Sequence, residues 1–252
     1  MWAVTGLTVA VILAAWYLAS NVFSASPLFL PSPQSVWKAF LTICATQYKG
    51  YTLWQHLGSS LQRLMLAFGL SVVTAVPLGL ASGYVPWIKA IWEPIIEFYR
   101  PLPPLAYYTL LVLWMGIDNE SKVMLLYLAC FAPIYVACAS AVMRIGQNYL
   151  RNARVLGARR GQVFLHVILP FALPEIFVGM RTALGVGYTT LVAAEMVAAR
   201  SGIGWMVLDA SNYLRSDIIF VGILVMGVTG ILLDRVIRLA EAYFVPWKGK
   251  DY

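Results

Sequence analysis

Six apolar runs near the length needed to cross a bilayer govern what this chain can fold into; they cover residues 2–21, 64–84, 104–117, 123–142, 178–199 and 218–233. A hydrocarbon core about 30 Å thick takes about 20 helical residues. Lipid offers backbone N–H and C=O groups no partners, so each run must satisfy them internally as helix. Composition leaves no soluble alternative: 61% of residues are hydrophobic and only 12% charged, against about 25% charged in soluble domains. The expected fold is all-α and integral to the membrane. About six transmembrane helices form one domain over 1–252, with membrane lipid as solvent and no room for an attached soluble domain.

Two runs need help from their flanks. The run at 104–117 requires the preceding 99–103 to reach across. The run at 218–233 should continue as helix through Asp234, Arg235 and Arg238, whose long side chains reach the interface, until Pro246 stops it. The first run has no basic residue before it and reads as an uncleaved span extended by residues 21–23, although Ser24-Ala25-Ser26 offers small residues nearby.

The net charge of +7 is informative through its distribution. With the N-terminus inside, Lys89, Arg100, Arg144, Arg151, Arg154, Arg159, Arg160, Arg235, Arg238, Lys248 and Lys250 fall on the inner side. Only Lys38, Lys49, Lys122, Arg200 and Arg215 fall outside, with Arg63 near the start of the second run. This bias predicts that both termini face the cytoplasm, and the charge belongs to that pattern with no nucleic-acid partner. Cys130 and Cys138 lie inside an apolar run and read as small buried hydrophobes, while Cys44 lies in a connecting segment.

Between the first two runs, Pro27, Pro31 and Pro33 favour extended backbone. From Gln34 a short amphipathic helix follows, with Val36, Trp37, Phe40, Leu41 and Ile43 as its apolar residues. It is either an interfacial helix or a docking surface for an external partner. Small residues recur every fourth position at Ser71, Ala75, Gly79 and Gly83, and again at Gly179, Ala183 and Gly187. In lipid such stripes permit close backbone approach and are expected to be packing faces, with Pro77 able to kink its helix.

Residues 144–175 carry Arg144, Arg151, Arg154, Arg159 and Arg160 and no acid before Glu175. A short helix is predicted over 147–156, Gly157 supplies a positive-φ turn, and helix resumes over 158–169 until Pro170. The result is a helix–turn–helix projecting into the cytoplasm, its arginines facing either lipid headgroups or a partner protein.

An enzyme is disfavoured. The only histidines are His56 and His166, with no His-Glu-x-x-His, no Gly-x-Ser-x-Gly and no phosphate-binding Gly-x-x-x-x-Gly-Lys-Ser/Thr. A secondary transporter would show internal repeats and several intramembrane ionisable residues; neither pattern is present.

Ala153-Arg154-Val155-Leu156-Gly157-Ala158, followed after nine residues from Gly157 by Val167-Ile168-Leu169-Pro170, resembles the signature loop of bacterial ABC-importer permeases: Glu-Ala-Ala, three residues, Gly, nine residues, Ile-x-Leu-Pro. Arg151 and Asn152 depart from its first two positions. Further segments, Ser26–Pro33, Leu53–Leu57, Tyr99–Ala106 and Leu191–Glu195, resemble the taurine, sulfonate and nitrate branch. Trp54-Gln55-His56-Leu57 and Val245-Pro246-Trp247 are most like the taurine permeases, whereas Tyr107-Tyr108-Thr109 departs from the branch.

The resemblance implies a type I ABC-importer permease fold in the bacterial inner membrane, moving taurine or a similar small sulfonate. It implies a cytoplasmic coupling helix within 144–175, with Ala153, Arg154, Gly157, Ala158, Arg159, Leu169 and Pro170 as ATPase-coupling residues. The implied partners are a second permease copy, two ATPase subunits and an external solute-binding protein. This chain is expected to bind no cofactor or metal itself, with ATP and Mg²⁺ held by the ATPase.

Glu195 is the one acid well inside an apolar run. A charge at the bilayer centre costs about 2.5–3.5 kcal/mol on insertion scales, so such a group faces the bundle interior or water. Tyr188 stands seven residues earlier, about 20° away around the helix. Either the two line the substrate pathway, or Glu195 is a structural acid bonded to a neighbouring helix or an arginine, or it lies at the outer interface.

Overall fold

A computed structural model describes residues 2–22 and 26–248. Phe23, Ser24, Ala25 and Lys250, which entered the reading of the first run and of the charge balance, lie outside the described residues. The described residues form helices and contain no strand, as expected of an all-α membrane chain. The helices are α1 (Trp2–Tyr17), α2 (Pro33–Ala45), α3 (Leu53–Tyr84), α4 (Pro86–Tyr99), α5 (Pro104–Met115), α6 (Asn119–Met143), α7 (Gln147–Val155), α8 (Arg160–Val163), α9 (Leu169–Ala198), α10 (Ile203–Asn212) and α11 (Ser216–Phe244).

Four helical stretches are long and apolar enough to cross a membrane: Leu53–Tyr84, Asn119–Met143, Arg160–Ala198 and Ser216–Phe244. The apolar helices Gly6–Val22 and Pro104–Met115 are shorter, the latter rising about 18 Å. The last helix runs past Asp234, Arg235 and Arg238 and ends just before Val245-Pro246, as the sequence predicts. Helix α3 starts at Leu53, eleven residues before the apolar run it contains. Its first turns carry His56, Ser60 and Arg63, which are buried yet polar, so hydropathy alone does not show them as helix.

Pro170 does not end a helix, contrary to expectation. A π turn at Phe164–Ile168 joins α8 to α9, and Leu169 N–H reaches back to the carbonyl of Phe164. Pro170 follows directly on the π turn inside the continuous helical stretch Arg160–Ala198, and the widened turn accommodates its missing N–H. Helices α4 and α10 have no counterpart in the sequence reading. Pro86 stands in the first turn of α4, a favoured place for proline. Gly202 stands at the N-cap of α10 and Gly204 in its first turn.

The chain forms two compact units. One comprises the described residues up to Leu61 together with Glu195–Thr229. Its core gathers Val36, Ala39 and Ile43 of α2, Leu53 of α3, Ile203, Met206 and Ala210 of α10, and Ile218 and Val221 of α11. Ser32 caps α2, its hydroxyl accepting from Ser35 N–H. Trp37 and Leu41 of the same helix remain exposed, so its apolar residues divide between two faces.

The other unit comprises Gln62–Ala194 and the residues from Gly230 onward. At its centre α6 is buried along most of its length, and both small-residue stripes pack on it. A Cβ at Gly79 would lie 2.7 Å from Cys138 Cβ, and one at Gly83 2.6 Å from Val142 Cβ. Ser71 Oγ donates to the Tyr127 carbonyl at 3.0 Å. From α9, a Cβ at Gly179 would lie 2.4 Å from Ala137 Cβ, and one at Gly187 2.5 Å from Cys130 Sγ. These contacts are close helix crossings that larger side chains would forbid. Cys130 and Cys138 are free, buried thiols filling the crossings.

Candidate functional site

The arginine-rich segment is a rigid turn whose geometry follows from its sequence. Helix α7 ends in paired reverse bonds: Gly157 N–H donates to the Arg154 carbonyl at 3.0 Å and Ala158 N–H to the Ala153 carbonyl at 3.0 Å. This 5→2 and 6→1 pair is a Schellman motif. It requires left-handed backbone at Gly157, whose φ is +84°, as predicted. The spacing Ala153-x-x-x-Gly157-Ala158 thus encodes a helix stop whose two alanines are both partly buried against the core. Arg159 follows with extended backbone, and its N–H donates to Gln162 Oε1 at 2.8 Å, starting α8.

Three buried apolar residues fix this turn to the membrane-embedded unit: Leu150 of α7, Val163 of α8 and Ile168 of the π turn. Phe164 adds an edge contact to Tyr84, 6.4 Å between centroids. Leu169 is partly buried on the same core, and Pro170 is half-buried beside it. The outer side is uncovered. Val155 and Leu156 are each 86% exposed, flanked by exposed Arg151, Arg154, Arg159 and Arg160. The anchored turn therefore presents two bare aliphatic side chains between exposed arginines.

Glu195 and Tyr188 have different surroundings although they share α9. Tyr188 is half-buried in a cluster with Leu64, Leu126, Leu191 and Leu233. Glu195 is 1% exposed and meets the start of α10. Its Oε2 accepts from Gly204 N–H at 2.9 Å. Ser60 Oγ lies 2.8 and 2.9 Å from its two carboxyl oxygens and accepts from Ile203 N–H at 2.9 Å. Next to them, Gly202 N–H donates to His56 Nδ1 at 3.1 Å. The ring proton therefore sits on Nε2, which faces the Tyr48 carbonyl at 3.3 Å.

Three side chains, His56, Ser60 and Glu195, thus take up the free N–H groups at the N-terminus of α10, where the helix dipole also favours an acid. This is the structural alternative for Glu195 left open by the sequence: an acid bonded to a neighbouring helix. Gly202 is required there. Its φ is +129°, and a Cβ would fall 2.3 Å from Glu195 Cδ.

The family model for binding-protein-dependent transport system inner membrane components matches residues 75–246, which contain the whole Schellman turn, the second packing stripe and the first from Ala75 onward. The chain belongs to this family. The permease is 46% identical over 244 residues to the taurine transport system permease protein TauC of Escherichia coli, covering 96% of this chain and 89% of the relative. It is 37% identical over 236 residues to the putative aliphatic sulfonates transport permease protein SsuC of the same organism, covering 94% and 88%. It is 28% identical over 251 residues to the nitrate import permease protein NrtB of a Synechocystis species, covering 97% and 90%. It is therefore a multi-pass membrane protein and a transport component.

Two features of the permease escape its sequence. The tip of the turn is Val155-Leu156, an aliphatic pair bracketed by arginines immediately before the positive-φ glycine; that bracketing is the signal that marks it. The second is a pocket of about 430 Å³ bounded by residues 99–107, α6 and α9. Its charged residues, Arg100, Arg144 and Glu175, are far apart in the chain, and no local pattern links them.

Proposed function

We propose that this permease imports taurine or a similar small sulfonate into the cytoplasm, driven by ATP hydrolysis on a separate subunit. The single observation that carries the coupling role is the anchored turn with Val155 and Leu156 uncovered amid arginines. The printed names of its taurine and aliphatic-sulfonate relatives support the solute class.

In this reading the segment 144–175 faces the cytoplasm, and so do both termini, in the bacterial inner membrane. Two copies of the permease surround the pathway. Each engages an ATPase subunit holding ATP and Mg²⁺, and an external binding protein delivers the solute. Arg154 and Arg159 frame the docking tip. Ala153, Gly157 and Ala158 shape it. Leu169 and Pro170 join it to α9. When the ATPases close, the turn moves as a lever, because Leu150, Val163 and Ile168 tie it to the core. A packed core transmits such a displacement as a switch between discrete arrangements.

Gly157→Val tests this directly. A β-branched residue strongly disfavours φ near +84°, so the tip is remodelled while the spans persist. In proteoliposomes holding the complete complex, taurine uptake should be lost while nucleotide hydrolysis continues. Uptake at the wild-type rate, or failure of any ATPase to copurify with the unaltered chain from mild detergent, would refute the coupling role.

A further inference from the structure

The pocket beside α6 and α9 has the size, about 430 Å³, and the composition of a small-solute site, which falls between about 300 and 1,000 Å³ with a few polar groups on apolar walls. Small residues such as Ala132, Ala137 and Gly179 are part of its lining, and at Gly179 α9 crosses closely on α6. Ser140 and Arg144 follow one another by one turn at the end of α6, and Glu175 and Thr182 lie two turns apart on α9. All four line the cavity.

Arg144 and Glu175 form the only ion pair among the described lining residues, and they form it loosely. Nη1 stands 3.6 Å from Oε1, and the side chains are 70% and 44% exposed. Among the described residues neither side chain has another hydrogen-bond partner. A guanidinium carries five donors and a carboxylate about four acceptor positions, so most of the bonding capacity of both groups is open to the cavity. A pair this exposed contributes little to stability and is readily exchanged for other partners.

We infer that this pocket is a solute site that reads both charges of a zwitterion: Arg144 takes the sulfonate and Glu175 takes the ammonium. The site rests on the small-sulfonate reading above and narrows it to amino-sulfonates. A solute bearing both charges replaces one loose ion pair with two, one of them a geometry in which guanidinium donors fit tetrahedral oxyanions. An alkanesulfonate or an inorganic anion must instead sit beside the Glu175 carboxylate without an ammonium to offset it. The same pair that accepts the zwitterion therefore rejects the plain anion. Arg100, which also lines the pocket, adds positive potential that favours entry of the acidic end.

The test is direct binding to the purified complex of permease and ATPase subunits in the absence of the external binding protein, by calorimetric titration of taurine and of ethanesulfonate. The unaltered complex should bind taurine at least tenfold more tightly than ethanesulfonate. Glu175→Gln should erase that preference, and Arg144→Gln should weaken both solutes tenfold or more. The exchanged pair, Arg144→Glu with Glu175→Arg, keeps an ion pair but presents the wrong charge to each end, so it should bind taurine poorly. Equal binding of both solutes by the unaltered complex, a preference that survives Glu175→Gln, or taurine binding restored by the exchanged pair would each overturn the site. Taurine uptake by the unaltered complex with its binding protein, measured alongside, separates the two levels. Uptake without pair-dependent discrimination fails this site alone, whereas absent uptake fails the sulfonate reading with it.

Discussion

Replacing Glu195 distinguishes a structural acid from a pathway acid. In Glu195→Ala the Gly204 N–H loses its acceptor and Ser60 loses the carboxyl partner of its hydroxyl, all in buried surroundings. Each lost bond costs about 1–2 kcal/mol, more where a donor stays unpaired. The vacated side-chain volume adds a cavity contribution, giving a total of about 3–5 kcal/mol. For a chain of this size each kcal/mol lowers the midpoint by about 2–4 °C, so a drop of about 10 °C is expected. Glu195→Gln keeps the shape and one oxygen acceptor, and should lose only about 1–2 kcal/mol. The assay is tryptophan-monitored thermal unfolding of the detergent-solubilised protein, paired with taurine uptake well below the transition. Near-normal uptake in Glu195→Gln is expected. Unchanged midpoints in both variants, together with abolished uptake in Glu195→Gln, would refute the structural role and return Glu195 to the pathway.

Other consequences follow from the same geometry. Gly202→Ala should lower the midpoint by more than 5 °C, because the new Cβ falls 2.3 Å from Glu195 Cδ in a conformation that L-residues avoid; the same unfolding assay checks it. Gly187→Leu should separate α9 from α6, since even a Cβ would lie 2.5 Å from Cys130 Sγ. Overpacking of this kind costs about 1–3 kcal/mol or more, and labelling of Cys130 by a small thiol reagent should accelerate.

Tyr48 lies in a loop, and burial, reinforced by its 2.8 Å hydrogen bond to Asp209 Oδ2, pushes its hydroxyl pKa well up. The folded state thus holds this proton more tightly than the unfolded chain. The associated stability is complete below about pH 10 and declines as pH rises above it. Tyr48→Phe should flatten that alkaline decline in midpoint relative to the unaltered protein. Val155→Asp with Leu156→Asp should leave the midpoint within about 2 °C, because both side chains are solvent-exposed, yet reduce copurification of the ATPase at least tenfold.

What the sequence by itself determined is local or periodic. Long apolar runs require helices because lipid leaves the backbone no other partner. Small residues at every fourth position mark the faces that meet α6. The Ala-x-x-x-Gly-Ala spacing specifies the turn at Gly157, since a Schellman stop involves only neighbouring residues. What the tertiary structure decided concerns polar groups far apart in the chain. From the sequence Glu195 could line the pathway, bond to a neighbouring helix or an arginine, or lie at the outer interface, because an isolated acid in an apolar run is costly wherever it lacks a partner. Its partners are Ser60, 135 residues away, and the start of α10, a helix that no apolar run marks. Pro170 looked like a helix end, but a π turn absorbs it. Arg144 and Glu175 meet across a cavity through the crossing of two helices. Hydrogen bonds and ion pairs are short-ranged in space and indifferent to sequence separation, so only the packed helices decide which polar groups become partners.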